Sequence, residues 1–271
     1  MANKVQRPKR IIYYKDAVNE DYAGTNINTQ TVGADFPFAP NGVLWRILAW
    51  FAYYVIAIPL VSFYSYVVCG FRVKNRKATK KIRKTGFFLY ANHSHFTDAF
   101  LAPIIAFPKR AYVIVSPDTV SIKGLRTFVQ MVGAIPIPQG LRGMASFLDA
   151  VRLRTEENCC ISVFPEAHIW NYCTFLRPMK SGSFRYPVHL GVPSVAVAVT
   201  YQQRKLSFIK QPKRTVFISD PFYPDETLSP KEAQHKLQNE VETFVKDKLE
   251  TYSVYKYFDY RKVEENENEN A

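Results

Sequence analysis

Residues 92–98 read Asn-His-Ser-His-Phe-Thr-Asp, set between the apolar runs Gly-Phe-Phe-Leu-Tyr and Ala-Phe-Leu-Ala-Pro-Ile-Ile-Ala-Phe. Titratable groups at such a seam, where a buried strand hands over to a buried helix, are costly unless they are paired or used. An imidazole paired with a carboxylate is a general base held in one tautomer, so His93 and Asp98 are the candidate catalytic pair. A second carboxylate, Glu166, stands in Val-Phe-Pro-Glu-Ala-His (163–168), at the end of a later strand pattern. Cations gather at other strand exits. Arg142 follows Gly-Ala-Ile-Pro-Ile-Pro-Gln (133–139), and Arg177, Lys180 and Arg185 lie in 176–185. No Gly-x-Ser-x-Gly elbow accompanies the histidine, so the base would activate an external hydroxyl or water while Arg142, Arg177 or Lys180 holds a phosphate. The set His93, His95, Asp98, Glu166 and His168 also has the ligand types of a metal-dependent hydrolase, and that reading stays open.

These residues need a scaffold that brings strand ends together. From residue 85 the chain alternates short apolar runs with helical patterns, which predicts an α/β fold with a mixed, largely parallel sheet flanked by helices. Strands are expected at 87–91, 111–116, 134–138, 159–164, 194–201 and 215–220, and helices near 97–107, 121–132, 142–157 and 182–190. The final helix is the clearest. Ser229 is its N-cap, Pro230 its first residue and Glu232 closes a capping box, before Ala233, Leu237, Val241, Phe244 and Leu249 recur at helical spacing. In open sheets of this kind, function gathers where strands end and helices begin.

Ahead of the sheet, residues 47–69 form an uncharged run of 23 residues, long enough to cross a bilayer. Pro59 at its centre predicts a kinked span or two half-helices entering one leaflet. Trp45, Trp50, Tyr53, Tyr54, Tyr64 and Tyr66 supply interfacial aromatics. The next stretch, 71–84, carries eight basic residues and no acid. Beside an apolar segment such a cluster faces anionic headgroups, each Lys or Arg contributing about 1 kcal/mol near the surface. The chain as a whole has 36 Lys and Arg against 23 Asp and Glu, a net charge of +13 that calls for an anionic partner. No zinc-finger, RRM or basic-helix pattern accompanies the charge, so nucleic acid is not that partner. The organisation expected is a polar arm (1–40), an anchoring segment with its basic flank (41–84), an α/β catalytic domain (85–258) and an acidic, disordered tail (259–271). No signal peptide is expected, since the apolar segment begins late and lacks a small-residue cleavage site. The basic flank predicts a catalytic domain on the cytoplasmic side of its membrane. Cys69, Cys159, Cys160 and Cys173 show no metal spacing and read as reduced and structural.

A base, a phosphate clamp and a membrane anchor suit acyl transfer to the hydroxyl of a phosphorylated, membrane-borne alcohol. The motifs agree: Asn92–Asp98 resembles the N-H-x4-D block of the PlsC-type glycerolipid acyltransferases, with His93 and Asp98 on its catalytic positions. Phe164–Ala167 resembles that family's F-P-E-G block, Gly133–Gln139 its G-x-x-x-I-x-R block and Gly191–Val199 its V-P-I-V-P-V block, all in the family's order. The sequence departs at Gln139 (usually Arg), Ala167 (usually Gly), His95 (commonly Ser) and Ala196 (usually Pro). The resemblance implies 1-acylglycerol-3-phosphate O-acyltransferase activity giving phosphatidic acid, with His93 as base, Asp98 orienting it and Glu166 organising the acceptor. It implies no metal or organic cofactor; acyl-CoA or acyl carrier protein brings the thioester as co-substrate, and the lysophospholipid acceptor comes from the membrane.

Overall fold

The computed structural model describes residues 8–22, 28–204 and 211–263. Nine strands occur among them: β1 (Arg10–Tyr14), β2 (Arg72–Lys74), β3 (Phe87–Ala91), β4 (Ala111–Val115), β5 (Ala134–Pro136), β6 (Cys160–Val163), β7 (Ser194–Gln202), β8 (Lys213–Ile218) and β9 (Phe258–Lys262). Seven make one sheet in the order β2-β8-β7-β3-β6-β4-β5, parallel throughout the β7-β3-β6-β4-β5 portion, with β8 antiparallel to β7. This is the mixed, largely parallel α/β sheet that the alternating pattern calls for.

Both faces of the sheet are covered, which is why its strands read as continuous apolar runs rather than alternating ones. Phe88, Tyr90, Ile161, Val163, Ala196 and Ala198 face one core, shared with the Met144–Glu156 and Pro230–Tyr252 helices. Phe87, Leu89, Ala91, Val195, Val197 and Val199 face the other, against Leu101, Ile105, Ala78 and Ile82. The Pro230–Tyr252 helix opens with the expected capping box of Ser229 and Glu232. The helix expected over 121–132 is instead two short ones, Pro117–Ser121 and Arg126–Met131. Gly124 between them takes φ +80, which an α-helix cannot contain.

Residues 43–68 form one unbroken helix. Pro59 does not split it. A proline takes away an N–H and crowds the carbonyl four residues back, and here the preceding turn, Phe51–Ala57, widens to π geometry, with the Ile58 N–H reaching the Tyr53 carbonyl.

The N-terminal arm is more than a lead-in. β1 pairs in parallel with β9 from the other end of the chain, and Val32, Phe36 and Phe38 are buried in the first core. β9 also runs across the boundary expected at 258/259, so the strand takes in the first residues assigned to the tail; the remainder of the acidic tail lies outside the described residues. All four cysteines are free and buried.

Candidate active site

β3 and β6 lie side by side, with Tyr90 paired to Val163. His93 and Glu166 each follow three residues later, so parallel register delivers them to the same height at the carboxyl end of the sheet, where open α/β folds bind ligands. The His93 N–H donates to Glu166 Oε2 at 3.3 Å. Asn92 ends β3 by using its side chain as a strand would use its backbone: Nδ2 donates to the Val199 carbonyl at 3.2 Å and Oδ1 accepts from the Val199 N–H at 2.8 Å. With Asn92 locked to β7, the chain must turn at His93.

The turn is built around Asp98, which is fully buried. Its Oδ2 accepts from the Ser94 and His95 N–H groups, both at 2.7 Å, and lies 3.4 Å from His93 Nδ1. With Nδ1–H pointed at Asp98, the Nε2 lone pair is left for a substrate. The last distance is long for a hydrogen bond, as such pairs often are before substrate binds. The His93 ring stacks on Phe164, centroids 4.3 Å apart, and its side chain keeps 14% exposure. So the base is held on three sides and open on one.

His95 occupies the N-cap of the 3-10 turn Phe96–Phe100, with its Nδ1 accepting from the Thr97 N–H at 3.2 Å and Asp98 completing the box. An imidazole thus does what a serine hydroxyl commonly does at a helix start. His95 is buried, and burial first, then the Arg214 cation, pushes its pKa down to about 4 against the pull of Asp98.

Glu166 and Arg177 form a buried ion pair at 2.7 Å, Arg177 being 1% exposed. Burial raises the Glu166 pKa, an effect opposed by Arg177 and by the His93 N–H. Arg177 also donates to the His168 carbonyl and lies over the Trp170 ring, 4.9 Å from its centroid. It is therefore committed to Glu166 rather than offered to solvent as a phosphate ligand. Lys180 is exposed, and its backbone N–H is tied to the Pro165 carbonyl at 2.9 Å, beside Glu166. Arg142 is exposed on the turn Leu141–Gly143, beyond the edge strand β5, with no ion pair or hydrogen bond among the described residues. β5 stands three strands from β3, about 14 Å at ordinary strand spacing.

His168 turns outward to Asp21, 3.7 Å away. Among the described residues no three His, Cys, Asp or Glu side chains are grouped so as to hold a metal ion, so the donor set of the hydrolase reading is not assembled.

Residues 71–200, which run from the start of the basic flank into β7 and contain His93, Asp98, Glu166 and Arg177, match the family model described as acyltransferase. That segment is an acyltransferase domain. No curated protein matches the sequence significantly. Among solved structures, the acyltransferase is similar to the 1-acyl-sn-glycerophosphate (LPA) acyltransferase PlsC from Thermotoga maritima, at 17% identity and a TM-score of 0.48, over 75% of this chain and 96% of that one.

Several residues that shape the acyltransferase site carry no sequence signal of their own. Tyr201 touches Ser94 Oγ at 2.7 Å, the Tyr172 N–H donates to the Ser94 carbonyl at 2.8 Å, and Trp170 donates its backbone N–H to the His93 carbonyl at 3.2 Å. They come from a strand and a loop far from the motif, and only the fold collects them. Arg214 joins them from β8, which begins two residues ahead of the strand expected at 215–220 and so takes in this cation.

Proposed function

We propose that this acyltransferase moves a fatty acyl group from a thioester donor to the free hydroxyl of a lysophospholipid, with 1-acyl-glycerol 3-phosphate as acceptor and phosphatidic acid as product. One observation carries the reading: His93 is held through Nδ1 by a buried carboxylate, with Nε2 free, level with the Glu166–Arg177 pair. His93 Nε2 takes the acceptor's hydroxyl proton as the oxygen attacks the thioester carbonyl. Asp98 stabilises the imidazolium. The tetrahedral intermediate then collapses, the carbon–sulfur bond breaks and the proton passes to the departing thiolate. General-base help supplies about 10²–10⁴-fold, and positioning of the two substrates the remainder. Glu166 and Arg177 shape the acceptor's polar end, and Lys180, next to them and exposed, is a better phosphate ligand than Arg142.

Membrane association is supported by the Val43–Val68 helix, which is long and apolar enough to cross a bilayer. Leu44, Phe51, Leu60, Phe63 and Val67 are exposed along it. Its opposite side packs on the domain from Ala49 to Ser65, with Tyr53 Oη accepting from the Ala111 N–H at 2.8 Å and Tyr54 Oη donating to the Pro108 carbonyl at 3.0 Å. A helix tethered to a polar domain on one side, at Ala49, Ala52, Tyr53, Val61 and Ser65, suits burial in one leaflet rather than a full crossing, with the basic 71–84 segment at the cytoplasmic headgroups.

The test is to incubate the detergent-solubilised protein with a panel of lysophospholipids, glycerol 3-phosphate and both thioester donors, and to identify products by mass. Phosphatidic acid formed by the native protein and lost in His93→Ala is the expected result. Turnover of none of these acceptors, or equal turnover by His93→Ala, overturns the proposal.

A further inference from the structure

Against the catalytic turn, at Thr97, lies a second buried charge. Arg214 is the second residue of β8, paired across the sheet with Tyr201, and is only 3% exposed. Its guanidinium packs 5.6 Å from the Phe71 ring centroid and 5.8 Å from that of Tyr172. An arginine so placed needs a purpose that outweighs its desolvation.

Its Nη1 donates to Thr97 Oγ1. Arginine can only donate, so Thr97 Oγ1 is the acceptor there and its own proton is free to go elsewhere. The neighbour is His95 Nδ1, at 2.9 Å. The Thr97 backbone N–H points at the same nitrogen, at 3.2 Å. Two donors aimed at Nδ1 require it to carry a lone pair, so neutral His95 has its proton on Nε2, which faces Tyr172 Oη at 3.5 Å. His95 in turn caps the turn whose third residue is Asp98.

We propose that Arg214 is a positioning residue for the catalytic pair: through Thr97 it holds His95 as the neutral Nε2–H tautomer and so fixes the turn that presents Asp98 to His93. Of the groups facing His95, only the Asp98 carboxylate pulls the other way. Arg214 from β8 and His93 from the turn disfavour a charge on it, while Asp98 favours one. Tyr172, from the loop after β6, and Tyr201, from β7, are neutral, burial raising the pKa of both, and Cys69, which follows the apolar helix, is kept a thiol in the same way. Burial opposes the charge on Arg214, yet its pKa is raised rather than lowered, with the Asp98 carboxylate as the charged group among its neighbours.

The kinetic half of the test rests on the acyl-transfer reading; the spectroscopic half does not. Histidine-selective ¹⁵N labelling of the full chain in detergent, read by long-range ¹H–¹⁵N correlation at pH 6, should show His95 neutral with the proton on Nε2. Arg214→Met and Thr97→Val should both convert it to a protonated or mixed-tautomer ring. Arg214→Lys, which keeps the charge, should preserve the neutral form. In acyl transfer, Arg214→Met and Thr97→Val should lower kcat at least tenfold with the KM of both substrates unchanged, and Arg214→Lys should recover part of the loss. Should Arg214→Met not fold, Thr97→Val, which leaves the arginine in place, breaks the same relay and decides the matter alone. A His95 spectrum unchanged in a folded Thr97→Val or Arg214→Met protein overturns the proposal. So does a loss of thermal stability with kcat and its pH profile intact.

Discussion

His93 and Glu166 stand level on adjacent parallel strands, each three residues beyond the Tyr90–Val163 pair, and the His93 N–H donates to the Glu166 carboxylate at 3.3 Å. Strand register alone therefore sets the spacing between the candidate base and the group that meets the acceptor's polar end. Asp98 and Arg177 add one buried partner to each. The site is two coupled pairs rather than a triad, and its parts can be tested separately.

Removing the base should abolish general-base help. His93→Ala and Asp98→Asn are each expected to cut kcat by about 10²-fold or more. Asp98→Asn is the more informative. Its amide oxygen can take the place of Oδ2, still accepting from the Ser94 and His95 N–H groups and facing His93 Nδ1, so the turn survives while the negative charge that stabilises the imidazolium is lost. Thermal melting within a few degrees of the native protein, together with the kinetic loss, would separate catalysis from folding. Near-native turnover by Asp98→Asn contradicts the assignment.

Breaking the Glu166–Arg177 pair should be expensive. Arg177→Met strands a carboxylate in the interior, and Glu166→Gln strands a guanidinium; single removal of a buried partner typically costs about 3–5 kcal/mol. The double variant Glu166→Gln/Arg177→Met is expected to lose less than the sum of the two, a coupling that denaturant unfolding of the three proteins measures. Strict additivity would mean that the two side chains do not sense one another.

Much of this was legible in the sequence and some was not, for physical reasons. The strands covered on both faces are runs of consecutive apolar residues, so β3, β4, β6 and β7 stand out, and the Ser229 box marks its helix unmistakably. β1 and β9 are invisible because each is a five-residue stretch whose only sheet partner lies at the other end of the chain. The division into arm, anchor and domain misses the arm's packing for the same reason: Val32, Phe36 and Phe38 carry no periodicity, only burial. At the site, residue type and spacing pointed to His93, Asp98 and Glu166. Arg177 read as a loop cation, because sequence does not reveal that a loop folds back beneath Trp170. His95 could not be assigned, since its cap depends on hydrogen-bond direction.

The apolar helix offers a test on its exposed side. Leu60→Glu with Phe63→Glu places two charges on residues that are 64% and 61% exposed, so the fold should be unaffected. Co-sedimentation with anionic vesicles should fall at least tenfold, while the melting temperature in detergent stays constant. Unchanged sedimentation would show that this face does not meet the lipid.

Ala167 sits at φ +65, a conformation that costs a residue with a Cβ about 1 kcal/mol or more. It lies between Glu166 and His168 and is exposed, so no packing is lost when the methyl goes. Ala167→Gly should raise stability by about 0.5 kcal/mol after the greater freedom of glycine in the unfolded chain is subtracted. A rise in melting temperature without change in KM is the expected outcome, and a fall would mean that the Ala167 methyl makes a contact of its own.

Acid should weaken the protein through His95. The pKa of its imidazole falls from 6.5 to about 4 on folding, so at low pH the unfolded chain binds the extra proton and the folded one does not. The contribution is therefore fully present above about pH 6.5 and is lost progressively as the pH drops toward 4, by about 3 kcal/mol in total. His95→Ser isolates it. Serine can still cap the turn through its hydroxyl, but it does not titrate, and every other group titrates equally in both proteins. Melting curves between pH 7.5 and 4.5 should show the native protein losing stability more steeply than His95→Ser, the two curves converging in slope above pH 7. Parallel curves across the whole range would mean that His95 takes up its proton in the folded state as readily as in the unfolded chain, and would remove the buried neutral imidazole from the account of the turn.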